Sequence, residues 1–209
     1  MNAIRSILVF TWMVITVIPM GLALVLSSLV LDERKLWWWF AVPWLKGVIW
    51  ETFYFPSMTS HPLAYVFKQE LLRIPIFGWC MGRVGMIHID RSKRSEAWAR
   101  VAEQGRVLMD RGKWVIMFPE GTRTERGRKG EYKTGATRLA VATGAYVIPI
   151  AVTSGRCWPR RSFSFIPGVI DVSIGEPVSA EGREAGELMD EVERWIEAEM
   201  RRLDPEAYN

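Results

Sequence analysis

The residues best equipped for chemistry in this chain are Phe118-Pro119-Glu120-Gly121-Thr122-Arg123-Thr124. They bring together a carboxylate, two hydroxyls, a guanidinium and a glycine beside which backbone N–H groups can approach a ligand. That set suits an anionic, oxygen-rich ligand, because an arginine fork matches phosphate oxygens bidentately and a glycine turn offers N–H donors to them. An ordinary strand-to-loop turn closed by a salt bridge would use the same residue types, so the heptad alone leaves both readings open. Its setting adds to it: the preceding Trp114-Val115-Ile116-Met117 reads as a buried strand, which delivers these polar groups at the end of a sheet.

The elements that must position the heptad follow from periodicity. From about Glu51 onward strands and helices alternate. Short strands are expected at Leu63 to Phe67, Val84 to Ile89, Val115 to Phe118, Tyr146 to Val152 and around Ile170, Val172 and Ile174. Helices are expected at Ser95 to Asp110, with Trp98, Val101, Ala102, Gly105 and Leu108 on one face, and at Thr134 to Thr143, ended by Gly144. A last helix near Gly186 to Leu203 puts Leu188, Val192, Trp195 and Ile196 on its apolar side. The pattern predicts an α/β fold, a mixed, largely parallel sheet with packed helices. A membrane-anchoring helical segment precedes it, giving an anchor with an aromatic interfacial segment over 1–50 and an α/β domain over 51–209.

With 209 residues the chain suffices for one sizeable α/β domain, and 24% charged against 49% hydrophobic residues exclude a disordered protein. The net charge of +4 is unevenly placed: Arg123, Arg126, Arg128, Lys129, Lys133 and Arg138 cluster, and Arg156, Arg160 and Arg161 form a second group. Such patches attract phosphates of lipid headgroups or nucleotides, although a solvated basic loop has the same composition. Nucleic acid is disfavoured, since Arg123 to Arg138 contains just one aromatic, Tyr132, and no recognition motif. Cys80 and Cys157 form neither a disulfide framework nor a metal spacing, which suits a reducing compartment; no metal and no cofactor are expected.

No charged residue stands between Ser6 and Leu31, and Ile7 to Leu31 gives 25 mostly apolar positions, enough for one tilted membrane span. The run passes directly into Asp32-Glu33-Arg34-Lys35 without a small-residue cleavage site, so a retained anchor is expected, with Pro19 kinking or dividing it. Leu36 to Leu45, with its clustered tryptophans, is too short to span and reads as an interfacial segment.

Four ordered blocks resemble those of the glycerolipid acyltransferase family, in particular its bacterial 1-acyl-glycerol-3-phosphate acyltransferases. Phe118 to Arg123 resembles the family's third block. Gly85-Met86-Ile87-His88-Ile89-Asp90-Arg91 resembles the second, and Val147-Ile148-Pro149-Ile150 the fourth. Lys68-Gln69-Glu70-Leu71 followed by Ile74 to Trp79 resembles the stretch before the second. The resemblance implies attack of the free hydroxyl of lysophosphatidate on the thioester of acyl-CoA or acyl-carrier protein, giving phosphatidate. It places the acceptor's glycerol phosphate against Arg91, Glu120, Gly121, Thr122 and Arg123; Lys133, ahead of a helix, reads as a further phosphate partner or equally as a solvated lysine. Membrane lipids would surround the anchor, at the inner membrane with the α/β domain on the cytoplasmic side.

The family's first block departs from its pattern here. Its catalytic histidine is followed five positions later by a carboxylate that orients the ring. This chain has only His61 and His88, followed at that distance by Val66 and Lys93. Trp50-Glu51-Thr52-Phe53 resembles the sequence beginning at the family's acidic member, so Glu51 reads as a remnant orienting carboxylate, joined by an internal deletion to the anchor. Two expectations follow: an acyltransferase impaired by loss of its base, or a membrane-anchored lysophospholipid-binding protein without turnover.

Overall fold

The computed structural model describes residues 2–31, 35, 59–89, 94–162 and 164–208, with the side chains at 2, 3, 5, 9, 10, 13, 77 and 94–98 outside that description. Glu51, Arg91 and the aromatic segment Leu36 to Leu45 therefore lie outside the described residues. The chain divides into two compact units, Leu8–Met117 and Met1–Ile7 with Phe118–Asn209.

The chain opens with α1 (Asn2–Ser27), which contains Pro19. Among the described residues no helix is long and apolar enough to cross a membrane, so the span expected over Ile7 to Leu31 is not shown. What α1 does present is apolar side chains to solvent, Ile7, Leu8, Ile15, Ile18, Leu22 and Leu26 among them.

The unit Leu8–Met117 is built on a parallel sheet in the order β2-β1-β3. β1 (Leu63–Lys68) lies in the middle, with Val66 opposite Ile87 of β2 (Ile87–Ile89) and Leu63 opposite Trp114 of β3 (Trp114–Ile116). Helix α3 (Arg94–Asp110) joins the two outer strands and packs on both. Its expected face supplies Val101 and Leu108 to a core with Ala64 and Ile87, closed by Val66, Ile89, Val115 and Met117. The second strand is shorter than expected because Val84 and Gly85 form a turn, Gly85 at φ +63°. A short helix, α2 (Phe77–Arg83), stands where no helix was expected; glycines at 78 and 82 leave it without an apolar period.

In the unit containing Phe118–Asn209, α4 (Gly135–Thr143) ends at Gly144 in the left-handed conformation, φ +69°, as the sequence predicts. The single strand expected over Tyr146 to Val152 is two. β4 (Tyr146–Val147) pairs antiparallel with β7 (Val178–Ser179), and β5 (Ile150–Val152) pairs antiparallel with β6 (Val172–Ile174). Pro149 has no N–H for a ladder and separates them. Helix α5 (Ala185–Leu203) packs on α4 and β5, and Leu188 forms a core with Ala140 and Ala180, against Val147 and Val178. The architecture is α/β with a parallel sheet and packed helices.

One ionic cluster corrects the reading of the basic groups. Asp204, 1% exposed just after α5, accepts hydrogen bonds from Arg126 Nε and Nη2, both at 2.7 Å, and lies 3.1 Å from Arg156 Nε. Arg156 also pairs with Asp171 at 2.7 Å and donates to the Leu203 carbonyl. Arg126 and Arg156 are therefore structural, because a buried carboxylate is stable only when paired. The Arg126 hydrogen bond, with those of Arg156, holds the Asp204 carboxyl below its ordinary range against the opposing effect of burial. A depressed carboxylate contributes stability that is present above its unfolded pKa and lost as pH falls through the folded one. Asp204→Asn is expected to cost about 2 kcal/mol in urea unfolding at neutral pH, the usual cost of a broken buried pair reduced by the exposure of Arg126. The deficit should fade as pH falls below the ordinary carboxylate range; a pH-independent deficit would contradict an ionic role.

Candidate functional site

The heptad begins a loop closed at both ends. The Gly121 N–H donates to the Phe118 carbonyl at 3.0 Å, with Gly121 at φ +63°, a conformation that favours glycine. The Lys133 N–H donates to the Pro119 carbonyl at 3.0 Å and so returns the chain to the start of the turn. Inside the loop, Gly130 packs directly on Glu120 and Thr124: a Cβ at 130 would meet Glu120 Oε2 and approach Thr124 Cγ2 to 2.6 Å. A side chain at 130 would therefore displace the Glu120 carboxylate.

Glu120 is half-buried. Desolvation pushes its carboxyl up, a hydrogen bond with the Thr124 side chain opposes this, and the Glu197 carboxylate raises it further. Tyr132 donates its hydroxyl to Glu197 Oε1 at 3.1 Å. Burial first, then the nearby Glu197 and Glu120 carboxylates, drive the Tyr132 phenol far above its ordinary range, so it stays a neutral donor. Glu197 is 8% exposed, and its Oε2 has no hydrogen-bond partner among the described residues. Lys129 pairs with Glu193 on the same helix face, which places a cation beside these carboxylates.

Arg123 is exposed, and its guanidinium lies 3.6 Å from the centroid of the Trp158 ring. Trp158 is itself fixed, donating Nε1–H to the Ser162 carbonyl at 2.6 Å and packing against Phe165 in a tilted arrangement, ring centroids 5.0 Å apart. A guanidinium over a ring is held by its face, which leaves its N–H edge able to meet an anion.

Among the expected site residues, Glu120, Gly121, Thr122 and Arg123 share one turn, with Thr122 and Arg123 exposed and Glu120 turned inward. Lys133 is joined to that turn through its backbone and has an exposed side chain. Arg91 and Glu51 lie outside the described residues. His61 stacks on Trp114 at 4.9 Å, with Ser60 Oγ 3.0 Å from its Nδ1. His88 stands on β2 opposite Phe67, their rings 6.5 Å apart. Neither has a carboxylate partner among the described residues. The sequence reading missed Trp158, Gly130, Tyr132 and Glu197 as members of the site; all are brought in by tertiary contacts, and only the tryptophan's place beside the Arg160 and Arg161 pair was a usable signal.

The chain matches the Acyltransferase family model over residues 47–153 and belongs to that family. It is 42% identical over 159 residues to the 1-acyl-sn-glycerol-3-phosphate acyltransferase of Pseudomonas aeruginosa, covering 75% of this chain and 62% of that protein. With the enzyme of that name from Escherichia coli it shares 38% identity over 98 residues, 47% of this chain and 40% of the other. The aligned part thus spans less than two thirds of the length of these relatives. The crystal structure of the 1-acyl-sn-glycerophosphate acyltransferase PlsC from Thermotoga maritima superimposes with a TM-score of 0.73 at 20% identity, covering 98% of each chain, and shows the common fold.

The raised Glu120 carboxyl has a thermodynamic sign. A native state that binds its proton more tightly than the unfolded chain loses stability as pH rises from the ordinary carboxylate range through the folded value. Glu120→Gln is therefore expected to stabilise the fold slightly, by less than about 1 kcal/mol after solvent screening, while weakening binding of a phosphate-bearing acceptor. Thermal unfolding and acceptor titration of the same variant check both signs; a destabilised variant with intact binding would reverse the assignment.

Proposed function

We propose that this chain is a 1-acylglycerol-3-phosphate O-acyltransferase of phospholipid biosynthesis, acting slowly because its general base does not follow the family pattern. The observation that carries the reading is the Glu120-Gly121-Thr122-Arg123 turn, its arginine stacked on Trp158 and its carboxylate packed under Gly130. The acceptor is lysophosphatidate. Its phosphate is held by Arg123, with Gly121, Thr122, Lys133 and Arg91 as further partners, and Glu120 orients the glycerol portion. Its free hydroxyl oxygen attacks the thioester carbonyl carbon of acyl-CoA or acyl-carrier protein. The carbon–sulfur bond breaks, the hydroxyl proton passes to the leaving thiolate, and phosphatidate and a thiol result.

In a chain with the full first block, a histidine would take that proton and a carboxylate would orient the ring. Glu51 is the remnant of that pair, and neither His61 nor His88 completes it. The stacking of His61 on Trp114 favours a second reading, a lysophospholipid-binding protein without turnover.

Attachment to the inner membrane completes the reading, with residues 1–50 as anchor and interfacial segment and 51–209 as the catalytic part on the cytoplasmic side. It is supported by the uncharged run from Ser6 to Leu31 and by the apolar side chains that α1 leaves exposed.

Labelled acyl-CoA and lysophosphatidate, presented to the purified full chain in mixed micelles, test the chemistry. Turnover about 10²–10⁴-fold below that of a relative with an intact first block is expected, the usual contribution of a general base. Turnover equal to the relative's and surviving replacement of both histidines would refute the impairment. Retained binding with none at all would select the second reading.

A further inference from the structure

Beyond Trp158, which holds Arg123, the loop as far as Val169 is not used by the chemistry above. Arg160 and Arg161 stand exposed at its tip, and neither makes an ion pair among the described residues. Arg161 adopts a left-handed backbone at φ +59°, a costly conformation for a side chain of this kind, held by neighbouring hydrogen bonds. The Ser162 N–H donates to the Pro159 carbonyl at 3.2 Å, and the Ile166 N–H donates to the Cys157 carbonyl at 2.8 Å. Beyond that closure the loop leaves Ile166 43% and Val169 73% exposed. A water-facing loop would not be expected to spend its tip on bare arginines and its flank on bare isoleucine and valine.

A second contact shows which surface this loop faces. The Phe165 N–H donates to Ser6 Oγ at 2.8 Å, and Ser6 is buried. The loop is thereby pinned to the first turns of α1, where Ile4 and Ile7 are 66% and 64% exposed. Those two residues and the loop belong to one compact unit. Exposed apolar side chains from two separate segments, flanked by two arginines without an ion pair among the described residues, match an anionic phospholipid surface, in which aliphatic groups enter the acyl boundary and guanidinium groups meet phosphates.

We propose that the loop Trp158–Val169 is a second membrane contact, seated on anionic phospholipid beside the start of α1. It would set the unit carrying Arg123 against the headgroup layer, since Arg123 and the loop share Trp158. The inference rests on the reading that α1 attaches the chain to a bilayer, and its test separates the two.

An environment-sensitive dye is attached to Val169→Cys, or to Ile7→Cys, in the full chain with Cys80→Ser and Cys157→Ser. Each is mixed with vesicles of phosphatidylcholine alone or with phosphatidylglycerol, containing brominated acyl chains. Quenching at both positions is expected on anionic vesicles. Arg160→Glu with Arg161→Glu should reduce quenching at 169 roughly twofold or more and leave position 7 unaffected. Quenching at 7 with none at 169 would overturn the loop's role and preserve that of α1; absence at both would overturn both. A response at 169 to an acidic carrier protein, with none to vesicles, would also overturn it. If the cysteine-free background fails to fold, hydrogen exchange of the unsubstituted chain gives the same decision: slowed exchange across residues 158–169 on anionic vesicles supports the contact, and unchanged exchange overturns it.

Discussion

The carboxylate of Asp204 is the interaction on which the unit around the heptad depends. It is buried at the end of α5, and two guanidinium groups reach it from separate loops, Arg126 from the segment after the heptad and Arg156 from the turn before Trp158. Asp171 extends the cluster to the residue before β6. Each group alone would be unstable there, since a buried carboxylate without a partner loses its hydration for no return. Together they fix the ends of two loops against one helix terminus. One of those loops carries Arg123 and the other carries the indole on which Arg123 stacks. The proposed phosphate site is thus positioned by an ion cluster that is not itself part of it.

Within this frame the turn at Glu120 works against stability. Its carboxylate is half-buried near a second one, Glu197, and receives help from Thr124 and not from an adjacent arginine. Glu197 in turn is satisfied at one oxygen by Tyr132 and left open at the other. Concentrating like charge in a desolvated place is common where a polar ligand is to be bound, because the ligand supplies donors that the protein withholds. The hydroxyls of a glycerol phosphate would supply such donors, and its phosphate would meet Arg123.

The sequence was most legible where local physics decides. The heptad, the face of α3 with Val101 and Leu108, the α4 stop at Gly144 and the course of α5 all follow from periodicity or from one residue's backbone preference. Pro149 divided a strand that apolar continuity had joined, although the missing N–H was visible in the sequence. Charge was the least legible property. Arg126 and Arg156 looked like members of phosphate-attracting patches, and their commitment to a residue tens of positions away depends on tertiary structure alone. The same holds for Gly130, whose close approach to Glu120 has no local signature. Of the two expected site residues furthest from the heptad, Arg91 and Glu51, the resemblance to the family remains the support.

The central claim is that the turn Phe118–Thr124 recognises a glycerol phosphate whether or not this chain transfers acyl groups quickly. Calorimetric titration in detergent micelles, comparing lysophosphatidate with the same monoacylglycerol lacking its phosphate, tests it most directly. Phosphate recognition by Arg123 predicts a preference for lysophosphatidate of about tenfold or more, the order of a charge-assisted hydrogen bond, which Arg123→Ala abolishes while the fold remains intact. Equal affinity for the two lipids, or a preference unchanged in Arg123→Ala, would contradict it.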